Sequence, residues 1–159
     1  MSLSSPESIA VNGAKFSIGI VAARYNPVLV DALLSTLLAG LKDAGVKAGR
    51  IKVARVPGSH EVPVAAQWLA QGRKHDCVVA LGVLIGGDTK HHELVGQSVS
   101  HALQAVSLST LTPVINGVIV ADTLKQAQAR CVGPINRGAE FARAALEMAA
   151  LNREIGGRS

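Results

Sequence analysis

Aromatic side chains are scarce in this chain: two Phe, one Trp and one Tyr make up 3% of its residues. Proteins that hold single-stranded nucleic acid stack bases on aromatic rings, so few such platforms exist here. Cysteine is equally sparse. Cys77 and Cys131 lie far apart and neither belongs to a CxxC pair, which argues against a disulfide framework or a thiolate zinc site and makes a reducing compartment the simplest reading. Long apolar runs are missing as well, since the stretches around residues 77–85 and 113–121 are too short to span a bilayer. The opening MSLSSPESIAVNGAK has no basic start followed by an apolar block, so it does not read as a secretory leader. A cytoplasmic protein with no membrane partner is expected.

Metal and nucleotide signatures are absent in the same way. No HExxH or HxxxH spacing occurs, and the adjacent His91 and His92 cannot both aim at one ion from a helix, so no metal is expected. Neither GxxxxGK[ST] nor GxGxxG is present, which removes the nucleotide P-loop and the dinucleotide fingerprint.

What is present fits one compact domain: 159 residues, 48% of them hydrophobic, are enough for one sizeable core and too few for two. The formal charge is +5. Lys42, Lys47, Arg50, Lys52, Arg55, Arg73 and Lys74 are scattered without a long run, which argues against a nucleic-acid surface and suits a small anionic ligand at least as well.

Apolar runs alternate with helical patterns along the chain. Residues 16–26, FSIGIVAARYN, read as a buried strand, and Asn26-Pro27 as an N-cap and first helical position opening an amphipathic helix that Gly45 closes. Residues 50–56 form a second strand, residues 64–70 lie in a shorter helix ended by Gly72, and residues 77–85 form a third strand apolar enough to be covered on both faces. A helix over about 92–107, a strand over 113–121 interrupted by Asn116-Gly117, and helices over 123–130 and 139–151 complete the pattern. Such alternation predicts a parallel sheet of four strands in a three-layer α/β/α sandwich, with ligands at the carboxyl ends of the strands. The ends to inspect are residues 24–26, 57–61, 86–91 and the segment after Val120.

Gly86-Gly87 followed by Asp88-Thr89 at a helix start can direct backbone N–H groups at a phosphate. The same residues can equally make a tight turn with Asp88 or Thr89 as a plain helix cap. A histidine there is placed to carry protons, and nothing local distinguishes such a shuttle from a solvated surface histidine. His60 shares this ambiguity, and His75 and His101 read as surface residues.

Taken in order, ARYN, VPGSHEVP, GVLIGGDTKHHELV, PVINGV and QAQARC with NRGAEFARAALEMAAL resemble the lumazine synthase family across nearly the whole chain after residue 15. That resemblance implies a flavodoxin-like subunit, residues 16–159 as the single domain, and residues 1–15 as an arm, flexible or paired with a neighbouring subunit. It implies homopentamers or multiples of them, with sites between neighbours. It implies condensation of 5-amino-6-ribitylaminouracil with 3,4-dihydroxy-2-butanone 4-phosphate to 6,7-dimethyl-8-ribityllumazine, without a metal or organic cofactor. A catalytically weak lumazine- or flavin-binding or shell-forming relative, and an unrelated phosphate-binding module of the same fold, are the alternatives.

By the same resemblance, Tyr25 is the aromatic that stacks on the pyrimidine and Asn26 follows it. Ser59, His60 and Glu61 flank the ribityl chain and ring edge, and the backbone of Leu84 and Ile85 addresses the pyrimidine's polar edge. Gly87, Asp88 and Thr89 match the phosphate loop, His91 rather than His92 the acid–base residue, and Arg130 the phosphate-binding arginine. Asn116 and Arg137, with Arg130, are expected from the neighbouring subunit. The chain departs from the common family pattern at His60, where an aromatic or Leu is usual, at Gly86 for Arg or Lys, at Asn116 for Phe and at Arg137 for Lys. Asp88 sets a carboxylate beside the expected phosphate, a repulsion relieved if its side chain caps the helix.

Overall fold

The structure is a computed structural model that describes residues 4–157. Four strands, β1 (Ile18–Ala23), β2 (Ile51–Val56), β3 (Cys77–Ile85) and β4 (Val114–Ala121), form one parallel sheet in the order β2-β1-β3-β4. Parallel neighbours require crossover connections. The helices α1 (Pro27–Asp43), α2 (Val62–Ala70), α3 (His91–Thr110), α4 (Leu124–Cys131) and α5 (Arg137–Glu154) supply them and continue past β4. The three-layer sandwich expected from the alternation and the flavodoxin-like fold implied by the resemblance are therefore present, and the third strand matches its expected bounds.

Two cores lie on opposite faces of the sheet. Alternate residues Ile18, Ile20, Cys77, Val79 and Leu81 pack with α1, α4 and α5, while Val21, Ala23, Val78 and Ala80 pack with α2 and α3. The two-residue period of a strand makes this division, because successive side chains point to opposite faces. Both faces of β3 are thus buried, as its apolar run implied.

Gly45 adopts φ +94 just past α1, the left-handed conformation a glycine takes at the end of a helix. Asn26 does occupy the N-cap of α1 and Pro27 its first position, yet the Asn26 side chain makes no cap bond and its Nδ2 donates to the Val83 carbonyl at 2.8 Å. Tertiary structure thus takes the amide away from its local use. α5 starts two residues earlier than expected because Asn136 accepts from the Ala139 N–H.

The opposite end of the sheet is tied by charge. Asp76, fully buried, accepts from the Ser17 N–H at 2.8 Å and from Arg153 Nε at 2.7 Å, so one carboxylate joins the entry of β1, the entry of β3 and the end of α5. Its hydrogen bond holds the Arg153 guanidinium above its ordinary pKa. His75, expected at the surface, is half-buried beside this knot with its Nδ1 2.9 Å from Ser17 Oγ, whereas His101 is exposed. Near the amino terminus, the Gly13 N–H donates to the Ala44 carbonyl at 2.7 Å, and residues 4–10 are exposed. No helix among the described residues is long and apolar enough to cross a membrane.

Removing the cationic partner of a buried carboxylate leaves that charge uncompensated and costs roughly 3 kcal/mol or more. Arg153→Ala, which strands the fully buried Asp76, is accordingly expected to lower the unfolding free energy by about that amount in a urea titration. A loss below about 0.5 kcal/mol, the range of ordinary surface substitutions, would show that the knot is dispensable.

Candidate active site

A cavity of about 550 Å³ opens at the carboxyl edge of the sheet, within the size range of small-molecule sites. Its wall includes Tyr25 and Asn26 after β1, Ser59, His60 and Glu61 after β2, Leu84 and Ile85 at the end of β3, and Gly87, Thr89 and His91 at the start of α3. Ten of the residues singled out from the sequence are therefore gathered in one place.

Strand pairing explains why the cavity lies there. β1 pairs with β3 only as far as Leu81, opposite Ala22, whereas β4 follows β3 to Ile85, opposite Ala121. Residues 82–85 consequently have a partner on one side only. The N–H groups of Val78 and Gly86 donate toward β4, to Pro113 and Ala121, and the carbonyl of Val83 accepts from Asn26 on the other side. Alternation along the strand then turns the main chain of Ile85 to the open side and that of Leu84 toward β4. The expected backbone contribution narrows to Ile85.

Close approach requires glycine at two positions on this strand and its extension. A Cβ at Gly82 would overlap Ser59 Oγ, and one at Gly86 would lie 2.5 Å from the Asp122 carbonyl oxygen. Gly86 is thus needed for contact with the chain after β4 rather than for a left-handed turn, since neither it nor Gly87 has a positive φ. This gives a steric reason for the absence of a longer side chain there.

The polar groups at the wall have distinct states. Ser59 is 4% exposed and its Oγ has no hydrogen-bond partner, an unusual condition for a buried hydroxyl and one that a bound ligand can relieve. Glu61 Oε2 accepts from the Gly58 N–H at 2.9 Å, and its Oε1 lies 4.0 Å from His60 Nδ1. Tyr25, 72% exposed, has one ring edge against Gly58 and leaves the remaining aromatic surface free for stacking.

The loop into α3 does not behave as a capped helix start. Lys90 holds the N-cap position without a side-chain bond, so neither Asp88 nor Thr89 caps the helix. Asp88 is exposed and lies outside the cavity wall. Its expected relief by capping does not occur. The uncapped first turn retains backbone N–H donors, which favour negative charge.

The two adjacent histidines have different environments. His91 is exposed at the first position of α3, whereas His92 is buried and places Nε2 3.5 Å from Asp122 Oδ1 at the end of β4. Sequence reasoning missed this burial, although the signal was there: His92, Gly96, Val99, Leu103 and Val106 repeat at helical spacing along the buried face of α3. Donor atoms of His92, Glu93 and Asp122 lie within 4.8 Å of one another, with both carboxylates exposed, and exposed acidic groups commonly lie this close without an ion.

Besides Asp88, three residues expected in the site stand apart from this cavity. Asn116 is five residues before the end of β4, roughly 16 Å along the strand, and accepts from the Val118 N–H. Arg130 is at the far end of α4, where its Nη1 donates to the Gln126 carbonyl. Arg137 pairs with Glu140 at 2.7 Å and lies over the Phe141 ring. The cavity wall carries neither Lys nor Arg.

A doubly wound α/β chain with an aromatic, a carboxylate, an unpartnered hydroxyl, an uncapped helix start and an exposed histidine at one sheet edge defines a small-molecule enzyme of the flavodoxin-like fold. The model for 6,7-dimethyl-8-ribityllumazine synthase matches residues 15–153. Relatives bearing that name include one from Xylella fastidiosa (strain M12), 41% identical over 90% of this chain and 92% of its own. Others come from Thermococcus onnurineus (strain NA1), 42% identical over 90% and 93%, and Polaromonas sp. (strain JS666 / ATCC BAA-500), 40% identical over 91% and 92%. The chain belongs to the 6,7-dimethyl-8-ribityllumazine synthase family, and it is an enzyme of the transferase class.

Neither thiol is suited to act as a nucleophile. Burial raises the Cys77 pKa far above its ordinary range and that of Cys131 to about 11, the latter opposed in part by the Arg130 charge. Both are expected to resist an aromatic disulfide reagent at pH 7.5 in the folded protein and to react in denaturant. Rapid reaction of either in the folded state would contradict the burial.

Proposed function

We propose that this enzyme condenses 5-amino-6-ribitylaminouracil with 3,4-dihydroxy-2-butanone 4-phosphate to 6,7-dimethyl-8-ribityllumazine in riboflavin biosynthesis. The observation that carries this reading is the convergence of Tyr25, Ser59, Glu61, Ile85, Thr89 and His91 on one cavity in a chain of this family. The ring amine attacks the ketone and loses water to give an imine. Phosphate leaves by elimination, and the ribitylamine closes the ring on the remaining carbonyl with loss of a second water.

Each step asks for something the cavity can supply. Tyr25 offers a stacking face for the pyrimidine, with Asn26 beside it and the Ile85 main chain facing the ring's polar edge; Leu84 lines the floor. Glu61 and Ser59 accept from or donate to the ribityl hydroxyls, with His60 at the rim. Gly87, Thr89 and the free N–H groups opening α3 receive the phosphate, and Asp88 remains outside it. His91 carries protons between the amine, the departing oxygen and the phosphate.

A phosphate dianion held without a cationic side chain is poorly neutralised, and none lines this cavity. That deficiency supports a ring of five subunits in which the neighbour brings Arg130, Arg137 and Asn116, an arrangement a cyclic heterologous interface repeats at every junction. The exposed residues 4–10 are read as part of an arm, flexible or paired with a neighbouring subunit, and the enzyme as cytoplasmic.

Incubating both substrates with the protein and following lumazine absorbance tests the reaction directly. His91→Ala is expected to slow turnover by about 10² to 10⁴, the usual worth of general acid–base assistance, with residual product from the spontaneous condensation. No acceleration by the unaltered protein over the uncatalysed reaction would refute the function.

The shared site has its own test. His91→Ala and Arg130→Ala are each expected to be impaired alone, but to regain activity in mixed rings wherever one junction combines both intact faces. Mixed rings verified by native mass spectrometry that show no gain would place the whole site within one subunit.

A further inference from the structure

We propose that His92 is a positioning residue: by pairing with Asp122 it fixes the first turn of α3 and so sets where His91 stands in the cavity. This rests on the role given to His91 above. An uncapped helix start has no local side-chain bond to hold it, and Lys90 provides none here. What holds this one is the end of β4. The Gly86 N–H donates to the Ala121 carbonyl at 2.8 Å, Gly86 fits against the Asp122 backbone, and Gly96 lies against Val120.

His92 adds the polar tie between the same two segments. Its side chain is 10% exposed, its Nδ1 is buried without a partner, and its Nε2 faces Asp122 Oδ1 at 3.5 Å. A buried imidazole is costly unless hydrogen-bonded. The carboxylate can only accept, so the proton it shares belongs on Nε2, and the pairing selects both the ring orientation and the tautomer. Successive helix residues are separated by a fixed rotation about the axis. Holding His92 inward therefore holds His91 outward, toward the cavity that both residues line.

Asp122 has a second attachment. Its N–H donates to Gln126 Oε1 at 2.9 Å within the opening of α4, the helix that ends with Arg130. The carboxylate that orients His92 is itself located by the helix carrying the phosphate-binding arginine of the proposed shared site. Its side chain is 76% exposed, so it can be removed without opening a cavity.

Three variants separate hydrogen bonding from packing. Asp122→Ala and His92→Phe both remove the bond, the second while keeping a ring of similar size; His92→Gln gives up the ring but retains an N–H near the position of Nε2. Asp122→Ala and His92→Phe are expected to lower kcat about tenfold while moving the pyrimidine KM less than about twofold. His92→Gln should lose less than His92→Phe. Backbone amides over residues 91–95 should exchange hydrogen faster in the two bond-lacking variants, at unchanged melting temperature for Asp122→Ala. Full activity in His92→Phe with loss in His92→Gln would make the residue a packing element and overturn the proposal. A rise in pyrimidine KM at constant kcat would overturn it too, by making His92 a substrate contact. If the unaltered protein forms no lumazine, the function above fails, and the exchange comparison alone decides whether the pair fixes the helix start.

Discussion

The double pairing of β3 is the constraint on which the rest of the structure depends. Buried on both faces, the strand satisfies its backbone on β1 and β4, and beyond the end of β1 on the Asn26 side chain. The two partners differ in length at the carboxyl end, because the chain after β1 departs into α1 while β4 continues. The gap left by that departure opens beside residues 82–85, and the loops after β1 and β2 and the start of α3 close around it. The cavity is a consequence of unequal strand overlap.

Small residues then decide how closely the walls approach. Gly82 lets Ser59 Oγ lie against the central strand, Gly58 lets Glu61 and Tyr25 share one turn, and Gly86 lets the chain beyond β4 touch the loop before α3. These contacts bring polar groups to a mostly apolar floor without burying a full charge. The one buried carboxylate among the described residues, Asp76, is at the other end of the sheet, where Arg153 neutralises it. Stability and chemistry thus occupy opposite edges. On the proposed reading, a site whose own wall lacks a cationic side chain depends on assembly to hold the anionic substrate.

Much of this was legible in the chain itself. Strand–helix alternation, the apolar run of β3 and Gly45 depended on local geometry, which sequence expresses directly. The motif ends pointed to the right edge of the sheet because parallel strands must all finish there. Side-chain uses were less legible. Asn26 had the residue type and position of a helix cap, but its backbone is left-handed and its Nδ2 donates to the distant Val83 carbonyl, and its side-chain oxygen caps nothing. His75 had the composition of a surface residue, but Ser17 lay within reach from a distant part of the chain.

The sequence by itself determined the fold class, the family and the segments that meet at the cavity, because hydrophobic period and motif order are properties of the chain read in line. Only the tertiary structure decided that His91 faces out while His92 faces in toward Asp122, that Ile85 rather than Leu84 turns its main chain to the open side, and that Arg130 stands away from its own cavity. The physical reason is the same in each case. Neighbours in sequence are driven to opposite environments by the rotation of a helix or the pleat of a strand, and which environment each receives is fixed by elements packed against them from elsewhere in the chain.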